Sequence, residues 1–344
     1  MKQIRTEDAQ GHVLCHDITQ IIPGKKKGPV FKKGHIVTKE DIPVLLSVGK
    51  ENLYVWEKDE SMLHEDEAAA ILRDICMADS TLMTASKPSE GKITINAAVS
   101  GLLKIDTGRL NAVNALGEMM IATVSGNRPV YKGDVIAGTR IIPLVIEKEK
   151  MANAKIAAGD APLLRILPFR RLKAGLIVTG SEVAKGLIKD SFGPVLESKL
   201  SEYDVEIIGK SILTDEPEGI TAKINDYVQK GADIVLVSGG MSVDPDDRTP
   251  KAIRDTGADV VTYGAPVLPG AMFMLSYMKY GEKQVAIMGL PGCVMYARRT
   301  VFDLVLPRII AGERLTFADI VSYAEGGLCL DCEVCHFPNC GFGK

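Results

Sequence analysis

Along residues 171–312, short apolar runs and glycine-punctuated polar stretches alternate with the spacing of strand, turn and helix. Ala174–Val178, Val205–Leu213, Asp233–Val237 and Ala258–Tyr263 read as strands. Helices are predicted at about Gly193–Tyr203, from Asp215–Glu218 to an end at Gly231, over about Thr249–Asp255 and over about Val294–Ile310. The second opens with Asp215-Glu216-Pro217-Glu218, where a helix dipole favours acidic groups and proline fits. Met272–Tyr277 and Gln284–Met288 pair as a hairpin around Lys279–Lys283. Apolar strands separated by helices predict a doubly wound, mostly parallel α/β sheet.

Upstream the pattern is shorter in wavelength. Residues 1–60 predict a small β-rich module, with apolar runs at His12–Leu14, Ile18–Ile22, Ile36-Val37 and Leu53–Trp56. A short helix from Ile42 is ended by Gly49. Residues 61–170 predict an α+β region: helix His64–Ala78, strand Lys92–Ile95, helix Leu110–Leu116 and strand Met119–Val124. A turn at Ser125–Pro129 follows, then Val135–Arg140 and the apolar run Ile141–Ile146. Residues 313–344 form a cysteine-rich tail. The basic stretch Gly24–Gly34 reads as a solvated hairpin, with an anion or acidic-partner grip as the alternative; its spacing is not that of a P-loop. His12, His16, His35 and His64 are scattered and read as structural.

Composition narrows the function classes. In 344 residues, 46% are apolar and 25% charged, enough for a core, and the net charge of −3 argues against a general nucleic-acid binder. No signal-peptide pattern or membrane-length apolar run is present, so the expectation is cytoplasmic.

The chemistry gathers in the turns after the strands: Thr179-Gly180-Ser181-Glu182, the long loop from Ser238 to Asp247, and Leu290-Pro291-Gly292. In an open parallel sheet, ligands bind beyond the carboxyl ends of strands where strand order reverses. Glycine lets backbone amides approach a ligand, so the amides after Ser238, at Gly239 and Gly240, with the Ser242 hydroxyl and the positive end of the helix entered near Thr249, suit a phosphate. Asp244, Asp246 and Asp247 would repel it unless a hard cation intervened, and Mg²⁺ uses carboxylates together with substrate phosphates. The structural alternative is that Asp246 or Asp247 caps the helix at Thr249.

Five pieces in order, LIVTGSEV, LTDEPEGI, VLVSGGMSVDPDDRT, VLPGAMFM and IMGLPGCVMYARRTVFDLVLPRI, resemble the molybdopterin-binding domain of molybdenum-cofactor biosynthesis proteins (the MoeA/MogA-like family). The likeness is strongest to the molybdopterin molybdenumtransferase branch. FKKGHIVTKEDIPVLLSVGKENLYVWE more loosely resembles a small β-rich module of those transferases. The resemblance implies molybdopterin or its adenylylated form as ligand, molybdate as co-substrate, Mg²⁺, and a homodimer. It implies ligand contacts at Thr179, Gly180, Ser181, Ser238, Gly239, Gly240, Ser242, Pro269, Gly270, Pro291 and Gly292, with Asp247 and Glu182 as catalytic residues. A molybdoenzyme or another cofactor-biosynthesis protein is the implied partner.

Departures from the family pattern favour an alternative, a non-catalytic carrier or sensor. Ser181 replaces the aspartate of T-G-D-E, Ala271 the lysine of P-G-K-P, and Cys293-Val294 the end of L-P-G-N-P. The S-x-x-D-G-Y-A segment that completes the transferase site across a dimer is missing. The tail adds Cys329, Cys332, Cys335 and Cys340 in a C-x2-C-x2-C-x4-C run, a ligand pattern for zinc or an iron–sulfur cluster, with His336 as a substitute ligand.

Overall fold

Alternation within the strands decides the layers of the α/β region. In a computed structural model, which describes residues 2–22, 26–55, 60–77, 81–245 and 247–344, six strands form one sheet. They are β1 (Lys173–Thr179), β2 (Glu206–Leu213), β3 (Ile234–Ser238), β4 (Asp259–Tyr263), β5 (Met274–Tyr280) and β6 (Lys283–Leu290). Gly24 and Lys25 of the basic stretch, Trp56, Ala78 and Asp246 lie outside the described residues. The order is β2-β1-β3-β6-β5-β4, parallel from β2 to β6 and antiparallel from β6 through β5 to β4.

Successive residues send their side chains to opposite faces. Leu176, Leu236 and Met288 join one core with Leu196 and Leu200 of helix α1 (Phe192–Ser201). Ile177, Val235 and Ile287 join the other with Ile220 and Ile224 of helix α2 (Pro217–Gln229) and Ile253 of helix α3 (Thr249–Asp255). Each fully buried aliphatic side chain stabilises by roughly 1.5–3 kcal/mol. The doubly wound, mostly parallel sheet expected from the sequence is the fold.

The final helix differs from expectation. α4 spans Val301–Ile310, and Gly292–Met295 is a separate 3-10 turn. Thr300 and Asp303 make a capping box: Phe302 N–H donates to Thr300 Oγ1 at 3.2 Å, and Thr300 N–H donates to Asp303 Oδ2 at 2.7 Å. Apolar periodicity continues through this boundary, so only the cap reveals it. All of α4 is buried, and Phe302 and Val305 pack in the first core.

Two compact units are present: Met1–Val99 with Ile105–Val124 and Lys132–Arg165, and Ser100–Lys104 with Ser125–Tyr131 and Ile166–Lys344. These are drawn differently from the four sequence segments. Residues 313–344 are part of the second unit, where Tyr323 and Phe342 are buried in the first core.

In the first unit, Lys2–Arg5 pairs with Asn52–Val55, and Leu14, Val37, Leu45 and Leu53 form a small core. A four-stranded antiparallel sheet (Met83–Ala85, Lys92–Ala97, Val135–Ile141, Met119–Thr123) accompanies the helix Glu65–Cys76. The apolar run Ile141–Ile146 is split between the end of Val135–Ile141 and the strand Val145–Glu147. His64 is structural: its Nδ1 accepts from Asp66 N–H, capping Glu65–Cys76, and lies 2.8 Å from Lys33 Nζ. Lysine only donates, so His64 Nε2 carries the proton and donates to Cys15 O at 2.7 Å. Burial depresses the His64 pKa, in keeping with this neutral form.

Glu65, beside it, is also buried, and burial with the Asp66 charge pushes its carboxyl up to about 7. Below its ordinary value of 4.5, Glu65 is protonated in both folded and unfolded chains. Between 4.5 and about 7 only the unfolded chain gives up the proton, so stability falls as pH rises, then levels off. Glu65→Gln lacks this loss. Its melting temperature is expected to gain on the wild type from pH 5 to pH 8; parallel melting curves across that range would reject the assignment.

Candidate functional site

The chain passes from β1 to β2 on one side of the sheet and from β2 back across β1 to β3 on the other. Strand order therefore reverses between β1 and β3, where Val178 lies opposite Ser238. The loops after β1, β3 and β6 share this carboxyl edge, as the sequence suggested, and the start of β2's following loop joins them at Asp215.

The turn after β3 is held by close backbone approach. Gly239 has φ +95° and Gly240 φ +59°. A Cβ on Gly239 would stand 2.3 Å from the Thr179 carbonyl oxygen, and one on Gly240 2.8 Å from Thr249 Oγ1. Thr249, buried, donates through Oγ1 to Gly239 O at 2.8 Å and through N–H to Gly240 O at 3.1 Å. Tyr263 Oη, at the end of β4, donates to Met241 O at 3.0 Å. Ser238 Oγ is buried without a hydrogen-bond partner among the described residues, a polar cost at the switch point itself.

The acidic loop is folded onto itself. Ser242 N–H donates to Asp247 Oδ2 at 2.9 Å, and Asp247 N–H donates to Asp244 O at 2.9 Å. Asp247 therefore does not cap α3, whose cap residue is Arg248 and receives no side-chain bond. The Ser242 amide is thus taken by Asp247, while its hydroxyl, the group expected to meet a phosphate, is not part of that bond. Ser242 and Asp244 are exposed, and Asp247 is half-buried. Asp246 is outside the described residues.

The family model described as "Probable molybdopterin binding domain" matches residues 175–311, a range that contains all of these loops. The α/β segment belongs to that molybdopterin-binding family. A second model, a domain of unknown function, matches residues 3–57. A CinA-like protein of Mycobacterium avium is 34% identical over 90 residues, 26% of this chain and 21% of its own length. The chain thus spans about a fifth of the length of the curated relatives it matches. A tungsten cofactor synthesizing protein MoaB from Pyrococcus furiosus is 21% identical, with a TM-score of 0.33 over 36% of this chain and 84% of its own. MoaB from a Thermus species is likewise 21% identical, with a TM-score of 0.33 over 41% of this chain and 98% of its own.

Within the molybdopterin-binding domain, the altered motifs have definite surroundings. Ser181, at the family's aspartate position, donates to Asp215 Oδ2 through N–H at 2.9 Å and Oγ at 3.0 Å. Asp215 thus returns a carboxylate to the edge from the next loop. It was missed as a site residue because an acid before Pro217 is explained by the helix dipole alone; its place in the LTDEPEGI piece was the available signal. Glu182 is exposed on the one-turn helix Ser181–Ala184, and among the described residues no hydrogen bond or ion pair joins it to Asp244 or Asp247. Pro269 O accepts from Val301 N–H at 3.2 Å, and Gly270 is buried beside it, so these two anchor α4. Pro291 is buried and Gly292 exposed at the end of β6.

Among the described residues, no group of three or more His, Cys, Asp or Glu side chains is arranged to hold a metal ion. This includes the tail, whose Cys329, Cys332, Cys335 and Cys340 are free thiols lining one cavity without converging on a point. No helix among the described residues is long and apolar enough to cross a membrane.

Proposed function

We infer that the chain acts in molybdenum-cofactor biosynthesis, binding molybdopterin or its adenylylated form across the carboxyl edge of β1, β3 and β6, and inserting molybdate with Mg²⁺. The observation that carries this reading is the tight Gly239-Gly240 turn at the point of strand reversal, inside a segment matched to a molybdopterin-binding family. Mg²⁺ needs only one or two carboxylates beside substrate phosphate and water. Asp244 and Oδ1 of Asp247, which has no hydrogen bond among the described residues, fit that requirement, while Asp247 Oδ2 keeps the loop closed through Ser242. Bound there, Mg²⁺ would offset phosphate charge. Asp247 would orient the adenylate for hydrolysis, with Glu182 and Asp215 supplying carboxylates at the mouth of the β1 and β2 loops. The same reading includes a thiophilic metal, zinc or iron, on the tail cysteines.

A carrier without catalysis is the second reading, and the loss of the lysine at Ala271 favours it. One assay separates the two. Purified protein with adenylylated molybdopterin, molybdate and Mg²⁺ is expected to release AMP, and Asp247→Asn to slow release about 100-fold. Asparagine can still accept from the Ser242 amide, so the loop is retained while the charge is lost. Bound pterin with no AMP released above the no-enzyme control would leave the carrier reading standing and remove the transferase.

A further inference from the structure

The tail is a built part of the second unit. Leu268 N–H donates to Gly327 O and Cys329 N–H to Leu268 O, both at 2.8 Å, so the tail enters as a strand-like partner of the Leu268–Gly270 loop. Arg298 Nη1 donates to Cys332 O at 3.0 Å and to Glu333 O at 2.5 Å. Phe342 is 7% exposed in the domain core, and Phe337 sits under the Arg299 guanidinium at 5.1 Å. Between these anchors lies a cavity of about 360 Å³ whose walls include all four tail cysteines, Phe337 and Tyr296.

A single zinc ion draws its four sulfurs to about 2.3 Å from one point, hence to within roughly 4 Å of each other. Such a site closes on itself and leaves no room. Here the four thiols line one cavity of about 360 Å³, and among the described residues no three donors are arranged around a single metal ion. Thiols at the periphery of an open cavity suit an inorganic core with several metal atoms, each bound by one cysteine. The spacing agrees: Cys329, Cys332 and Cys335 recur every third residue, and Cys340 closes the set from the far side of Phe337-Pro338. Charge agrees too. Four thiolates are strongly negative, and among the described residues no carboxylate pairs with Arg298, which binds only backbone carbonyls at the cavity wall. Leu328 and Leu330, both exposed, add apolar surface to the lining.

We propose that this cavity holds an iron–sulfur cluster ligated by Cys329, Cys332, Cys335 and Cys340, each thiol losing its proton on ligation. The proposal rests on the reading of the tail as a metal-binding segment and narrows it to one cofactor class; it does not depend on the molybdopterin assignment. Cys332 and Cys335 are exposed, so replacing both by serine is expected to leave the fold intact, which thermal melting checks.

The full chain, purified anaerobically or reconstituted with Fe²⁺ and sulfide, is expected to carry iron and acid-labile sulfide in about equal amounts with visible charge-transfer absorbance. Both should be lost in Cys332→Ser/Cys335→Ser, while molybdopterin binding persists. About one zinc per chain without sulfide would overturn the cluster and uphold a metal-binding tail. Neither iron nor zinc, even after reconstitution, would overturn both. Iron and sulfide retained by the double variant would overturn the assignment to these cysteines.

Discussion

Gly239→Ala is expected to weaken molybdopterin binding by at least about 30-fold, with a measurable fall in melting temperature. The added Cβ would meet the Thr179 backbone carbonyl at 2.3 Å, and the residue already sits at φ +95°, where side chains are strained. A backbone atom cannot swing aside as a side chain can. The turn must therefore move away from β1, taking the Gly240 carbonyl from Thr249 and opening the switch point. Strain of this kind costs about 1–3 kcal/mol, and about 2 kcal/mol is a 30-fold change in affinity. Gly292→Ala is the matched control, because Gly292 is exposed and its Cβ would meet no atom within 4 Å. Its melting temperature should be that of the wild type. If Gly239→Ala bound molybdopterin and melted like the wild type, the tight turn would not be what shapes the site.

The loops on this edge were legible because glycine and aspartate after apolar strands leave a strong pattern, and because a parallel sheet must bring alternate strand ends together. What the pattern could not carry were the side-chain bonds between and within loops. Asp215 answers Ser181 from a different strand end, and Asp247 answers Ser242 from five residues away. Each aspartate had a sufficient local explanation, so nothing in the sequence pointed to its partner. The helix Lys148–Ala158 went unseen for another reason: it buries only Met151, Ala154 and Ala158, so its apolar stripe is too sparse to register as a period. Its alanine and lysine content favours helix, but propensity alone is a weak signal. The start of α4 was misplaced because Val294, Ala297 and Val301 keep helical spacing across the boundary and so hide the cap.

That cap is also where the second large effect is expected. Lys199 of α1 donates to Asp303 at 2.6 and 2.9 Å and to Arg298 O at 3.0 Å, and both charged side chains are nearly fully buried. Asp303 in turn closes the capping box of α4 and accepts from Arg299 at 2.9 Å. Removing one member of a buried pair leaves the other charge short of partners, at a cost of about 3–5 kcal/mol. Arg299 remains beside Asp303, so the lower figure applies to Lys199→Met. For a unit of this size, about 3 kcal/mol corresponds to a fall of roughly 6–12 °C in melting temperature.

Asp303→Asn should lose the ion pair and weaken the cap together. The double variant should then fall short of the sum of the two losses, because both singles break the same contact. The same pair positions Arg298, which braces the cysteine tail through Cys332 O and Glu333 O. Lys199→Met is therefore expected to loosen the tail cavity as well as the core, read as faster reaction of the half-buried Cys329 and Cys340 with a thiol reagent below the melting temperature. If Lys199→Met melted within a degree of the wild type and its thiols reacted no faster, the buried pair would anchor neither α4 nor the tail.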